Sequence, residues 1–328
     1  MTASGSSSDS HGEPRAGNAS AGDPRAGVRR ALLAGLGAYS FWGLVPLYFK
    51  QIKAVGADEI IAHRVVWSVA FLALVLLLRK RGNVLAHVAI SRKVALALML
   101  SGALVAVNWL VFVYAVNSDR VLSTSLGYFI NPLVSVLLGT VVLRERMFGA
   151  QVIAVLLAAA GTVYLTVQVG QPPWLALALA FSFGLYGLVR KMTDVGPMVG
   201  LFWETLMMMP LALIWLIWTA SRGEIVFGDF GLDKDLLLIG SGLVTVIPLV
   251  LFATAARGLP LITVGLMQYL APSISFCLAV FLFLEPFTVD HAVAFGCIWT
   301  ALALYTGASW HRSRQHRRIM VEAAAGGK

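Results

Sequence analysis

Residues 121–145, VLSTSLGYFINPLVSVLLGTVVLRE, have a counterpart in the second half of the chain at 261–285, LITVGLMQYLAPSISFCLAVFLFLE. Laid side by side without a gap, Leu126 meets Leu266, Pro132 meets Pro272, Ser135 meets Ser275, Leu138 meets Leu278 and Glu145 meets Glu285. Apolar segments match readily by chance, whereas a proline and a glutamate at the same spacing in both copies are a stronger signal. The same offset pairs Gly102 with Gly242, Phe112 with Phe252, Ala115 with Ala255 and Arg64 with Glu204. A small adjustment of the offset also pairs Trp42, Gly43 and Leu44 with Tyr186, Gly187 and Leu188. A repeat of this length constrains the architecture before any single residue is weighed.

Around the repeat, the 328-residue chain is 59% hydrophobic and 12% charged, with a mean hydropathy of +0.81. Soluble domains are about half apolar and about a quarter charged, so an ordinary soluble protein is excluded. The apolar residues fall into ten runs long enough to cross a bilayer as helix, at 31–49, 58–78, 94–116, 121–143, 149–168, 172–189, 196–220, 235–256, 261–284 and 290–310. Residues 1–27, rich in Ser, Gly, Ala and Pro, read as a disordered tail. The expected organisation is this tail, a first repeat at 28–168, a second at 169–311 and a basic tail at 312–328.

With a cytoplasmic N-terminus, 19 Lys and Arg residues fall on the inner side, five on the outer side, and Arg64 lies within a span. The positive-inside rule then places both termini in the cytoplasm. It also accounts for the net charge of +9 without a nucleic-acid partner. Five spans per half is an odd number, so the second copy enters the membrane from the opposite face. Inverted repeats of this kind open alternately to either side, which favours a transporter.

Several stretches carry a family resemblance: residues 37–50 (GAYSFWGLVPLYFK), 57–68 (ADEIIAHRVVWS), 126–133 (LGYFINPL), 143–146 (LRER) and 180–191 (AFSFGLYGLVRK). From about residue 29 to residue 310 the chain resembles the RarD-like branch of the EamA-type drug/metabolite transporter superfamily. The resemblance implies an all-α fold of ten transmembrane helices in two inverted five-helix repeats. It also implies a central cavity lined mainly by the first four helices of each half, and efflux of a metabolite or drug across the cell membrane. The serine-rich N-terminal tail lies outside the family pattern.

Arg64 and Glu204 are the leading candidates for function, because ionised groups deep in a span normally face a cavity or a partner. Each lies about 10 Å from its own membrane face, leaving the two about 10 Å apart along the membrane normal. They are expected to form a charged pair lining the cavity. The competing reading has Arg64 reaching the outer headgroups and Glu204 making a structural hydrogen bond. Glu59 and His63, beside Arg64, read as structural.

Pro132 and Pro272 are expected to break the fourth and ninth spans and free the carbonyls of Tyr128 and Gln268. Asn131, Tyr128, Gln268 and Tyr269 beside these breaks are candidate substrate-facing groups. Asn108, next to Trp109, and Pro248 are expected to interrupt the third and eighth spans. Trp42 and Tyr186, Glu145 and Glu285, and the small residues Gly35, Gly37 and Gly43 read as packing or interfacial residues. The histidines show no metal spacing, and Cys277 and Cys297 read as packing residues.

No nucleotide, dinucleotide, zinc-hydrolase or nucleophile-elbow motif is present in the sequence, so no catalytic residue or cofactor is expected. The expected partners are a small-molecule substrate and the lipid bilayer, with the oligomeric state left open. One buried acid and one buried arginine suit either proton antiport or facilitated exchange. The alternative class is a non-transporting membrane protein, either a lipid-modifying enzyme or a scaffold. The sequence shows neither the clustered interfacial acids of the first nor the large soluble module of the second.

Overall fold

The computed structural model describes residues 24–78, 91–118, 121–170, 173–229, 231–284 and 288–326, with side chains except at 24–25, 116–117, 121–125, 169 and 312–326. Most of the expected N-terminal tail, together with His87, Arg120 and Glu285, lies outside the described residues. The described chain is helical, without strands: α1 Pro24–Phe49, a 3-10 turn Lys50–Ile52, α2 Ala57–Leu78, α3 Arg92–Asn117, α4 Val121–Val141, α5 Gly149–Val169, α6 Trp174–Met192, α7 Pro197–Ser221, α8 Leu232–Gly258, α9 Leu261–Met267, α10 Leu270–Cys277 and α11 Val289–Gly326. An all-helical answer follows from the sequence, because in lipid each backbone N–H and C=O must be satisfied internally, and uninterrupted apolar runs of about 20 residues achieve this as helix.

Among the described residues, nine helices are long and apolar enough to cross a bilayer, while Leu126–Val141 is a shorter apolar helix. The fourth expected span is represented by that shorter stretch. Helix α1 starts at Pro24, inside the expected tail; proline suits the first helical position, where its missing N–H costs nothing. Helix α11 continues through the basic C-terminal segment to Gly326.

The prolines act less uniformly than the sequence suggests. The ninth span does break, at Gln268 and Tyr269 between α9 and α10, and then widens into a π turn at Leu278–Leu282. Pro272 has no N–H to offer the Gln268 carbonyl, which accepts instead from Ala271 N at 3.2 Å. Helix α4 runs unbroken across Pro132, and α8 across Pro248. Helix α3 is continuous through Asn108, so the expected interruptions at these three positions are absent.

The repeat is visible in the backbone. The N–H of Leu143 bonds to the carbonyl of Leu138, and in the second copy that of Phe283 bonds to Leu278 at the equivalent place. Each is followed by a residue in the left-handed region, Arg144 at φ 53° and Leu284 at φ 55°, the two non-glycine residues with positive φ among those described. A side chain there costs roughly 1–2 kcal/mol, so the fold imposes this sharp ending on both copies.

Inter-helix packing follows the same exchange. Helix α4 packs on α6 as α10 packs on α1, α3 on α6 as α8 on α1, and α2 on α8 as α7 on α3. The pairs α2–α7, α4–α9 and α5–α11 each join one helix to its own counterpart. Small residues permit the close crossings: a Cβ on Gly43 would press on Ile274, and one on Gly184 on Val134, the repeat counterpart of Ile274.

Contacts also give the helix directions. Gln151 donates to Ser309 at 3.3 Å near the start of α5, and Tyr164 to Asp290 at 2.6 Å near its end, so α5 and α11 are antiparallel. One end of the bundle gathers Tyr48, Ile52, Val55, Val226, Phe227 and Leu238. The other brings Glu145 and Lys191 together over the turn between α8 and α9, where Glu145 accepts from the Leu261 and Ile262 amides.

Candidate functional site

Arg64 is on the second turn of α2, two turns from the end that meets the α7–α8 loop. Its Nε donates to Thr245 Oγ1 on α8 at 2.8 Å. The guanidinium lies 4.6 Å from the centre of the Trp109 ring on α3 and 5.7 Å from that of Phe49 on α1. Tyr128 on α4 lies within its electrostatic reach. Five helices thus converge on one cation, which excludes a lipid-facing position. The place is nevertheless open: Arg64 is only partly buried and Tyr128 is 53% exposed. Among the described residues no carboxylate pairs with Arg64. Placing such a charge at mid-membrane costs at least ~2.5–3.5 kcal/mol on insertion scales, so a position packed among helices and still accessible is far less costly than one facing lipid.

Glu59, on the preceding turn of α2, does not compensate it. The separation from Arg64 turns the helix by about 140°, and both Glu59 oxygens are occupied by the Val226 and Phe227 amides at 3.0–3.1 Å. His63 approaches the same carboxylate at 3.8 Å. This pair anchors the α7–α8 loop to α2.

Glu204, the repeat counterpart of Arg64, is sealed at 0% exposure on α7. Its Oε1 accepts from Ser101 on α3 at 2.5 Å and lies 3.4 Å from Arg190 Nη1, while Oε2 accepts from Tyr186 at 3.4 Å. Arg190, on α6, is 1% exposed and also donates to the Pro197 carbonyl. A Cβ at Gly200 would overlap its guanidinium, so that glycine makes the room. The expected Arg64–Glu204 pair is therefore not formed. Each charge reaches instead from the second helix of its own half to the third helix of the other, and Glu204 finds its cation on α6.

The remaining candidates do not gather at one point. Gln268 donates to Ser135 on α4 at 2.9 Å, against the Tyr39 hydroxyl. Tyr269 is buried, with its hydroxyl 3.3 Å from Thr162 on α5. Asn108 ties α3 to α6 through the Leu179 carbonyl and the Ser182 hydroxyl at 2.9 and 3.0 Å. Asn131 Oδ1 is buried without a partner. Trp42, Phe183, Tyr186, Phe252 and Tyr39 form one aromatic cluster where α1, α6 and α8 meet. A crevice of about 530 Å³ beside Ile274, Cys277, Phe281 and Trp299 is almost wholly apolar and faces outward from α10. Arg190, Thr245 and Ser101 are the site residues that sequence reasoning missed. Ser101 pairs with Ser241 at the same repeat offset, but only Ser101 meets its half's charge; Arg64 is met by Thr245, one turn further along α8, whose counterpart is Val105, so the repeat did not mark it.

Residues 29–167 and 173–307 each match the EamA-like transporter family. The chain belongs to that family. It is 42% identical over 300 residues to Protein RarD of Streptomyces exfoliatus, covering 90% of this chain and 94% of that one. It is 42% identical to the Uncharacterized transporter YojE of Bacillus subtilis, over 85% of this chain and 95% of the other. Protein RarD of Escherichia coli is 41% identical over 85% and 94% of the respective chains. A crystal structure 20% identical in sequence shares the fold, with a TM-score of 0.67 over 84% of this chain and 96% of its own. This RarD-like chain is thus a multi-pass membrane protein of a transporter family.

Proposed function

We propose that the chain is a secondary transporter of the cell membrane, exporting a small metabolite or drug by alternating access between two inverted five-span repeats. Both termini are cytoplasmic in this reading. The observation that carries it is the exchange symmetry of the packing: replacing each helix by its repeat counterpart turns the set of inter-half contacts into itself. The common helix ending at Arg144 and Leu284 supports the same reading. Two equivalent halves of opposite direction can swap conformations, and the swap moves an opening from one face to the other.

In this reading Arg64 stands in the cleft open to the outside, and the Glu204–Arg190 pair closes the cytoplasmic side. Opening that side parts the pair. A carboxylate released from its arginine can accept a proton, which would couple export to the proton gradient.

Two measurements test the proposal. Reporter fusions at residues 118 and 228 should read extracytoplasmic and a fusion at 192 cytoplasmic; a cytoplasmic reading at 228 removes the inverted repeat. A metabolite and drug panel in proteoliposomes, with and without an imposed pH gradient, should identify compounds whose flux requires the protein. A panel in which nothing moves contradicts transport.

A further inference from the structure

We infer that the transported molecule is an organic anion, a carboxylate carried on an apolar or aromatic body, and that its negative charge sits against Arg64. This rests on the transporter reading and adds the charge class of the cargo.

Glu204 and Arg190 neutralise one another in a sealed network. Glu59 is committed to the Val226 and Phe227 amides. Among the described residues, Arg64 is the one charge set inside a span, away from the helix ends, that has no oppositely charged partner and no backbone amides around it, and a bound anion is what would complete it. The geometry suits a carboxylate. Nε is engaged by Thr245, which fixes the guanidinium plane, while neither Nη has a protein partner and neither is shut off from solvent. Two parallel N–H donors on a fixed plane match the two oxygens of a carboxylate.

The surroundings specify the rest of the molecule. Trp109 and Phe49 flank the cation, and the exposed ring of Tyr128 supplies both an apolar face and a hydroxyl. A cationic cargo would meet repulsion from Arg64, and among the described residues no carboxylate pairs with Arg64 to offset it.

The test uses the full chain in liposomes with Cys277→Ser, Cys297→Ala and Tyr128→Cys. The introduced thiol is modified with an anionic sulfonatoethyl and a cationic trimethylammonioethyl methanethiosulfonate, each rate normalised to that of a free thiol. The anionic reagent should react faster, and Arg64→Gln should lower the anion-to-cation ratio about tenfold, whereas Arg64→Lys should retain it. Benzoate should protect the thiol and benzamide should not. Phe49→Cys, on α1 with its ring 5.7 Å from the guanidinium, is the second reporter where Tyr128→Cys fails to fold. A ratio that Arg64→Gln leaves unchanged, or equal protection by benzamide, overturns the inference. Export of neutral or cationic compounds alone overturns it while leaving the transporter intact. Anion preference at the thiol with no flux for any compound would instead remove the transporter reading and keep the anion site.

Discussion

Arg64 and Glu204 occupy the same position in the two repeats, yet their environments are opposite. Arg64 is partly open, walled by aromatic rings and, among the described residues, without a counterion. Glu204 is fully enclosed, with a serine, a tyrosine and an arginine around it. The same scaffold position thus holds a charge without a carboxylate partner in one half and a charge already paired in the other. Helix spacing reflects this: a Cβ on Gly242 would collide with the Trp67 side chain and the Ser68 backbone, at 2.6–2.8 Å, while one on Gly102 would rest 3.5 Å from Glu204.

The largest effect should come from breaking the sealed pair. Arg190→Ala or Glu204→Ala leaves one buried charge alone, at a cost of about 3–5 kcal/mol, and should be seen as loss of folded protein in thermal unfolding in detergent. The double variant Arg190→Leu/Glu204→Leu should recover much of that loss, because the two energies are coupled. Equal stability of the single variants and wild type would show that the pair is not formed.

The glycine difference gives the next effect. Gly242→Ala drives its new methyl against the Trp67–Ser68 backbone and should cost about 1–3 kcal/mol; Gly102→Ala at ordinary contact distance should cost under about 0.5 kcal/mol. Unfolding curves of the two variants check the order, and the reverse order would contradict the described packing. A loss between these two is expected at the turn joining α8 to α9. Glu145→Gln weakens its hold on the Leu261 and Ile262 amides and its contact with Lys191, a loss of about 1 kcal/mol on the same assay.

Much of this was legible in the sequence because the repeat was. The offset that aligns Pro132 with Pro272 also places Arg64 opposite Glu204 and Gly102 opposite Gly242, and those positions do make equivalent inter-helix contacts. Arg190 was not legible as a site residue. Near the end of α6 and next to Lys191, it has the sequence context of a loop cation, and only the room left by Gly200 on the following helix turns it inward. The prolines were half legible. A proline removes the same donor wherever it stands, but the outcome depends on the freed carbonyl: that of Gln268 is taken by Ala271 in a tighter turn, breaking α9 from α10, whereas α4 continues past Pro132.

Substrate flux through proteoliposomes, wild type beside Arg64→Gln, bears most directly on the difference between the two charges. Unlike the Glu204 and Arg190 variants, Arg64→Gln removes a charge with no ionic partner, so the protein should stay folded, with its unfolding midpoint little changed. Transport should nevertheless be lost, whereas the wild type moves substrate outward under an imposed inward proton gradient. Undiminished flux through folded Arg64→Gln protein would contradict the assignment of Arg64 to the transport cleft.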